Sequence, residues 1–313
     1  MSGQVWYTNS LGGYMFAPNL SKKLRIGLVP MCKFRQFADI KEGAVGLHKG
    51  ATFHWDVFSK VVTKGTTLTE TDTMPETNFK VTQGTMTIVE AGNSVPYTGL
   101  LDNLSELPLT NIINNVLKAD AAEVFDDMVS AEFNKTPLRV VPTAGTNTEA
   151  ITLTTNGTAT LTNSVPLGKE HVKSIADMMR ERNIPGYTDS DYYALAHPTT
   201  LRKFKNDLEP VKAYTPMGMT EIKSGETGRY EGCRFAEQTN RAKETFAAGQ
   251  SNWCFFFGGD TVAEGIAIPE EMRGKIPTDY GRSKGVAWYF LGGYALNHTA
   301  ADQARVIKWD SAG

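Results

Sequence analysis

Ser283 is the residue whose surroundings most resemble a catalytic motif. It lies in Gly281-Arg-Ser-Lys-Gly285, which matches the Gly-x-Ser-x-Gly pattern of serine hydrolases. That motif needs an apolar strand before the serine, and an acid and then a histidine after it. Here residues 275–280 are turn-like, and no acid lies between Ser283 and His298, the only downstream histidine. The sequence therefore favours a plain loop, and we expect that the protein is not an enzyme.

A group of three carboxylates, Glu123, Asp126 and Asp127, could bind a divalent cation. The three residues fall in a helical pattern whose opposite face is apolar, which favours a solvated acidic helix face over a metal site. His48 and His54 would point to the same side of a strand, but nothing else completes a set of ligands. We predict no metal, no cofactor and no catalytic residue.

His197 and the three cysteines are expected to be structural. His197 precedes Pro198 at a strand-to-helix junction, where a hydrogen-bonded structural histidine is the usual case. Cys32, Cys233 and Cys254 have no paired spacing, which is typical of free thiols in a reducing cytosol and not of disulfides or zinc sites. The glycine-containing stretches lack the Lys-Ser/Thr of a phosphate-binding loop.

The composition is that of a soluble globular protein. With 313 residues, of which 41% are hydrophobic and 21% charged, the chain has room for about two domains. No apolar run approaches the roughly 18 residues of a membrane span, and the N-terminus lacks the pattern of a signal peptide. The net charge of −2 argues against a dedicated nucleic-acid-binding protein.

Charges are distributed unevenly along the chain. Residues 1–50 contain seven Lys and Arg against two acids, a net charge of +5, and residues 102–134 contain seven acids against one Lys, a net charge of −6. The first segment has little periodicity and is interpreted as an extended arm, whose side chains must pack against other parts of the protein or against another molecule. We expect the arm, through Lys22, Lys23 and Arg25, to attract the acidic segment.

Residues 51–98 have the pattern of a long two-stranded excursion. The apolar parity of the return strand changes across Gly84, which predicts a β-bulge there. Residues 63–78 would form a polar tip that is longer than an ordinary hairpin loop. One face of the outgoing strand carries four apolar residues at a period of two: Phe53, Trp55, Val57 and Val61.

Pro108 opens the longest helical pattern, residues 108–134, about 40 Å in length. Residues 143–165, with nine threonines, are predicted to form a polar β-hairpin. Two strands are predicted near the end of the chain, at 286–291 and 304–309. The apolar stripe of the long helix is predicted to comprise seven residues: Leu109, Ile113, Leu117, Ala121, Val124, Met128 and Ala131.

The stretch from 168 to 240 has a distinctive order of elements. A helix over 168–183 is followed by a strand over 191–197, which runs through His197-Pro198 into a second helix over 199–208. A turn-rich segment then leads to Gly225-Glu-Thr-Gly-Arg-Tyr-Glu-Gly-Cys-Arg-Phe-Ala-Glu-Gln-Thr-Asn240. Later in the chain, Gly293-Tyr-Ala-Leu-Asn297 precedes Ala304-Arg-Val-Ile-Lys308.

This order resembles that of the major capsid proteins of tailed double-stranded-DNA bacteriophages, which have the α+β Hong Kong 97-type fold. The resemblance covers nearly the whole chain. It implies an N-terminal arm (1–50), an extended β-hairpin loop (51–98) and a peripheral domain (99–167 and 286–313) with a spine helix (108–134). An axial domain would comprise residues 168–285.

The resemblance also implies function and partners. The chain would form hexamers and pentamers of an icosahedral shell that encloses genomic DNA, first assembled as a procapsid that matures. It would work with a portal protein and possibly a decoration protein, without a membrane, and would be found in the virion after assembly in the bacterial cytoplasm. Because residues 1–50 lack a heptad-like apolar pattern, we expect a separate scaffolding protein and not a fused one.

Two functions remain open at this point, the viral shell protein and an encapsulin-like shell, and a serine hydrolase is a distant third. The same fold forms the shells of encapsulins, which enclose an enzyme in place of a genome.

The arm lysines could also face the packaged DNA and not the acidic helix. Some members of the fold form lysine–asparagine crosslinks between subunits; Lys60, Lys64 and Lys80 lie in the matching loop and Asn297 lies late in the chain, but most members do not crosslink.

Overall fold

The computed structural model describes residues 28–40, 50–105, 108–142, 151–155, 165–188, 190–212, 228–246, 249–277 and 279–311. These residues form four α-helices: α1 (Gly99–Leu104), α2 (Leu109–Asn134), α3 (Lys169–Glu181) and α4 (Arg202–Lys212). They also form fifteen strands: β1 (Ala38–Ile40), β2 (Thr52–Val61), β3 (Phe79–Thr87), β4 (Val89–Thr98), β5 (Leu138–Pro142), β6 (Ile151–Thr155), β7 (Tyr192–Ala196), β8 (Arg229–Tyr230), β9 (Cys233–Glu237), β10 (Thr245–Phe246), β11 (Gly249–Gln250), β12 (Cys254–Phe257), β13 (Val262–Gly274), β14 (Ser283–Leu296) and β15 (Val306–Trp309).

A seven-stranded mixed sheet has the order β6-β5-β15-β12-β7-β9-β8. Because side chains alternate along a strand, its two faces bury different layers. Ala194, Phe256 and Trp309 pack with α3 and α4, whereas Phe255 and Phe257 pack with the end of α2. The predicted helix–strand–helix order after residue 168 is confirmed as α3, β7 and α4, with a turn at 198–201 before the second helix.

A four-stranded sheet has the order β1-β13-β14-β4 and is the second layer on which α2 packs. Strand β4 pairs with β14, so the two-stranded hairpin itself ends at residue 88. Strand β13 pairs with β14 across the expected boundary at 285/286, and β15 lies in the seven-stranded sheet. The expected division into domains stays a prediction.

Helix α2 begins after Pro108, as predicted, and is 26 residues long. The predicted stripe is confirmed from Leu109 to Ala121, and Val124 and Met128 are half-buried and pack against the core, but Ala131 is exposed and its prediction is wrong. The reason is that α2 touches the four-stranded sheet first and the seven-stranded sheet later, so its buried side rotates. The buried apolar residues follow steps of four: Leu109, Ile113, Leu117, Ala121, Phe125, Val129 and Phe133.

Strands β2 and β3 form a separate two-stranded hairpin. No register shift occurs at Gly84, so the predicted bulge there is wrong; Gly84 lies opposite Trp55, and a Cβ on it would lie 2.3 Å from the indole. The irregularity lies instead in β2, between Phe58 and Val61. That extra residue moves Val61 to the face opposite Trp55, which corrects its predicted position.

The arm also differs from expectation where it is described. Residues 34–40 pack within the same subunit: Phe34 and Phe37 are buried, and β1 pairs in parallel with β13. Residues 1–27 and 41–49 lie outside the described part of the chain. Of the predicted hairpin at 143–165, residues 151–155 form β6, which pairs with β5; residues 143–150 and 156–164 lie outside the described residues.

Candidate assembly surface

The outer face of the β2–β3 hairpin is apolar and exposed. We call Phe58, Val61, Phe79 and Val81 the outer patch; their exposed fractions lie between 48% and 68%. Phe58 pairs with Val81 and Val61 with Phe79, so the four side chains are neighbours on one face. The parity change in the sequence therefore marks a change in which face is apolar. At the root of the hairpin the apolar side chains point toward the body, and at its far end they lie on the opposite face. Such an uncovered patch is typical of a surface that a partner covers.

The root of the hairpin is fixed to the body by close contacts. Trp55 donates through Nε1 to the carbonyl oxygen of Asn297 at 3.2 Å, and Met86 is fully buried. Gly293 in β14 lets the hairpin approach, because a Cβ there would lie 2.2 Å from the carbonyl oxygen of Thr87. Thr82 donates to Oε1 of Gln303 at 2.7 Å. The outer patch is thus held at a defined distance from the body.

Asp126 joins the arm to α2. Its Oδ1 accepts from the backbone N–H of Phe34 at 2.6 Å and from that of Arg35 at 3.4 Å. The side chain is buried, at 1% exposure, so the interpretation of a solvated acidic face is wrong for this residue. Burial raises the pKa of Asp126, while the backbone hydrogen bonds from Phe34 and Arg35 act in the opposite direction. Asp126 therefore holds the arm through neutral backbone groups.

Most other acids of the 102–134 segment have partners inside the subunit. Asp120 accepts from Nε1 of Trp288 at 2.7 Å, and Asp102 forms an ion pair with Lys284 at 2.7 Å. Asp127 accepts from Nδ2 of Asn240 at 3.1 Å. These contacts leave fewer free acids for the arm than the sequence indicated. Lys22, Lys23 and Arg25, the arm residues expected to attract this segment, lie outside the described residues.

The candidate catalytic residues are separated. Ser283 donates to Oδ1 of Asp279 at 2.8 Å at the start of β14, whereas His298 follows its other end and contacts Asp260 at 3.2 Å. Strand β14 has 14 residues, so the serine and histidine are roughly 45 Å apart. The structure does not bring together a hydrolase triad from these residues.

The candidate metal ligands do not converge either. Within the described ranges, no group of three His, Cys, Asp or Glu residues could hold a metal ion. His54 contacts the Thr85 hydroxyl at 2.9 Å and His197 that of Thr199 at 2.9 Å, which gives both rings structural partners. His48 lies outside the described residues. The three cysteines are free thiols, and burial raises the pKa of Cys233 to about 12.

Asn297, the candidate crosslinking asparagine, is held inside the subunit. It is 2% exposed, and its Nδ2 donates to Oδ1 of Asp260 at 2.6 Å. Lys64 lies in the exposed tip, and Lys60 and Lys80 lie at a cleft beside the hairpin. In this arrangement the carboxamide of Asn297 faces an internal partner and is not presented to a neighbouring lysine.

A buried lysine, which the sequence analysis missed, fixes the last strand. Lys308 is fully buried, and its Nζ contacts Asn134 at 2.8 Å, Glu244 at 2.9 Å and Asp310 at 3.3 Å. Burial alone would raise the pKa of Glu244, but the Lys308 ammonium and the Arg241 guanidinium together lower it. The available signal was a lysine between apolar residues of a predicted strand, with an acid two positions later.

Among the described residues, no helix is long and apolar enough to cross a membrane. No family model and no curated protein matches the chain. Solved structures do match it over nearly its whole length. The capsid of cyanophage P-SCSP1u is similar with a TM-score of 0.70 at 12% identity, covering 99% of this chain and 97% of that chain.

Two further phage capsids are similar in the same way. That of Ralstonia phage GP4 has a TM-score of 0.67 at 16% identity, covering 100% of this chain and 98% of that chain. That of cyanophage Pam1 has a TM-score of 0.66 at 15% identity, covering 97% and 99%. The expected fold class is confirmed: the chain has the α+β Hong Kong 97-type fold of tailed-phage capsid proteins.

Proposed function

We propose that this chain is the major capsid protein of a tailed double-stranded-DNA bacteriophage, which assembles with copies of itself into an icosahedral shell around the genome. The observation that carries the proposal is the likeness of the chain to phage capsid proteins over 97–100% of its residues. We further propose that the protein has no enzymatic role.

The outer patch supports assembly with further copies. Covering a large apolar side chain fully contributes about 1.5–3 kcal/mol, and these side chains are about half exposed, so each contributes about 1 kcal/mol when covered. A few kcal/mol for one hairpin contact is modest, but a closed shell repeats that contact many times. An interface of this kind is stable in the shell and reversible between single subunits.

The finer partner assignments are also proposals. The axial and peripheral domains would correspond broadly to the seven-stranded and four-stranded sheets, with the β2–β3 hairpin as the extended loop. A separate scaffolding protein, a portal protein and possibly a decoration protein would assist assembly in the bacterial cytoplasm, and the product would be the virion. Because the net charge is −2, we propose that the shell encloses DNA without sequence-specific binding.

Co-expression of the chain with its native assembly partners tests the proposal. Electron microscopy should show closed particles of tens of nanometres, and particles from infected cells should contain nuclease-protected DNA. A stable monomer under these conditions would contradict the assembly function. Particles that contain a protein cargo and no DNA would instead identify an encapsulin-like compartment.

The double variant Phe58→Ser/Phe79→Ser examines the outer patch. Shell yield should fall sharply, while thermal unfolding of the free subunit should be unchanged because both side chains are exposed there. Leu100→Ser, an exposed apolar residue of α1 away from the hairpin, is the matched control. Equal losses in both variants would show that the outer patch has no special part in assembly.

A further inference from the structure

A cleft of about 510 Å³ separates the hairpin from the body of the subunit. The hairpin wall contributes Lys60 and Lys80, and the body wall contributes Arg182 and Arg305. One acid, Asp302, lies on the body wall, so the cleft has a net charge of +3 from these five side chains. Like charges on two walls repel each other across the cleft.

The cations of the cleft are poorly neutralised by the protein itself. Arg305 contacts Asp260 at 3.4 Å, but within the described residues no carboxylate forms an ion pair with Lys60, Lys80 or Arg182. Arg182 donates through Nη2 to the carbonyl oxygen of Ala301. That contact fixes the guanidinium without neutralising it.

Two buried N–H donors of the lining residues also lack acceptors. Nε of Arg182 and Nε2 of Gln303 are inaccessible to solvent and have no hydrogen-bond partner in the described structure. A buried donor without a partner costs about 1–3 kcal/mol, so a small shift of either side chain toward an acceptor bound in the cleft would be favourable. Both are donors, and together with the lysines they require acceptor oxygens.

From this geometry we propose that the cleft binds a multiply charged oxyanion of the phosphate class. A tetrahedral phosphate has oxygens on all sides and can accept from both walls at once, which a single carboxylate cannot do as well. The volume also admits a short chain of phosphates. Because Lys60 and Lys80 belong to the hairpin and Arg182 to the body, the bound anion holds the hairpin against the body.

Hydrogen–deuterium exchange on unassembled full-length subunits tests this inference. Inorganic phosphate is compared with sodium chloride at equal ionic strength, which separates binding from charge screening. At a phosphate concentration ten times its Kd, the opening equilibrium of the far half of the hairpin, residues 57–62 and 79–82, should fall about elevenfold. Tripolyphosphate as a second probe distinguishes a single-phosphate site, which gives equal protection, from a phosphate-chain site, which gives stronger protection at lower concentration.

Lysine variants give the matched comparison. Lys60→Gln/Lys80→Gln should abolish the phosphate effect, and Lys64→Gln, which removes a lysine of the same hairpin outside the cleft, should retain it. Arg182→Lys keeps the charge but loses Nε, and phosphate binding should weaken about tenfold. Equal protection by chloride, no protection by either phosphate, or an unchanged response in the double lysine variant would each overturn the site.

Discussion

Replacing Asp126 tests how the arm is held to α2. Asp126→Ala removes the acceptor of the buried Phe34 N–H, a bond of 2.6 Å to a carboxylate. Leaving a buried donor unpaired costs about 1–3 kcal/mol. Asp126→Asn keeps an acceptor oxygen in the same place and removes a charge that burial disfavours, so we expect a change of less than about 1 kcal/mol.

Hydrogen exchange at the Phe34 amide measures this difference directly. Because about 1.4 kcal/mol is a factor of ten, Asp126→Ala should speed exchange by roughly five- to a hundredfold, and Asp126→Asn by less than about fivefold. Asp127→Ala is the matched control, because the carboxylate of Asp127 contacts Asn240 and not the arm. If Asp126→Ala leaves the Phe34 amide as protected as in the wild type, or if Asp126→Asn is equally damaging, the acceptor argument is wrong.

Because of Asp126, the stability of the docked arm should depend on pH with a sign opposite to that given by an ordinary ion-paired carboxylate. Burial raises the pKa of Asp126 in the folded state, so its ionised form is disfavoured there. The stability that protonation contributes is therefore fully present below the ordinary pKa of 3.8 and is lost as the pH rises through the raised value. Docking of the arm should tighten as the pH falls toward about 4, after correction for intrinsic exchange, and this trend should be absent in Asp126→Asn. Asp127, whose pKa burial also raises, contributes in the same direction and is removed in the Asp127→Ala background.

Three other substitutions test separate parts of the structure. Gly84→Ala should displace the Trp55 indole and destabilise the hairpin root by about 1–3 kcal/mol, measured by tryptophan fluorescence during denaturation; an unchanged midpoint would refute the close contact. Lys308→Ala should cost about 1–3 kcal/mol, because Glu244 and Asp310 lose a buried partner but keep Arg241 and Arg139. Lys308→Met with Glu244→Gln should recover part of the loss, and equal stability of Lys308→Ala and wild type would contradict the network. Ser283→Ala should change the unfolding midpoint and the shell yield little, because the Ser283 hydroxyl contacts only Asp279 in an exposed turn. A large loss of stability or shell yield would show that this turn matters more than its contacts indicate.

The sequence predicted best what depends on neighbours along the chain. The start of α2 follows from Pro108, and α3, β7 and α4 follow from their own apolar periods. The order of these elements then indicated the fold. The placing of the last two predicted strands, β14 and β15, in different sheets could not be predicted in this way, because it depends on partners distant in sequence.

The side chains that hold the candidate surface were harder to predict. The parity change near Gly84 has two explanations, a bulge or two apolar faces, and the choice depends on which face the body covers. Asp126 resembles its exposed neighbours in sequence, and its burial depends on an arm ninety residues away. The cleft cations belong to segments more than a hundred residues apart, which no local pattern connects.

The winding buried stripe of α2 constrains how this helix can change in length during evolution. A residue advances an α-helix by about 100°, so a step of four overshoots a full turn by about 40°, and six steps rotate the buried side by about 240°. Inserting one residue between Ala121 and Phe125 would turn the contacts with one sheet by about 100° relative to the other. An insertion of seven residues restores the phase to within about 20° while lengthening the helix by about 10 Å. Larger or smaller versions of this subunit should therefore differ in α2 by phase-preserving increments, and the spacing between its two sheets should take a few discrete values.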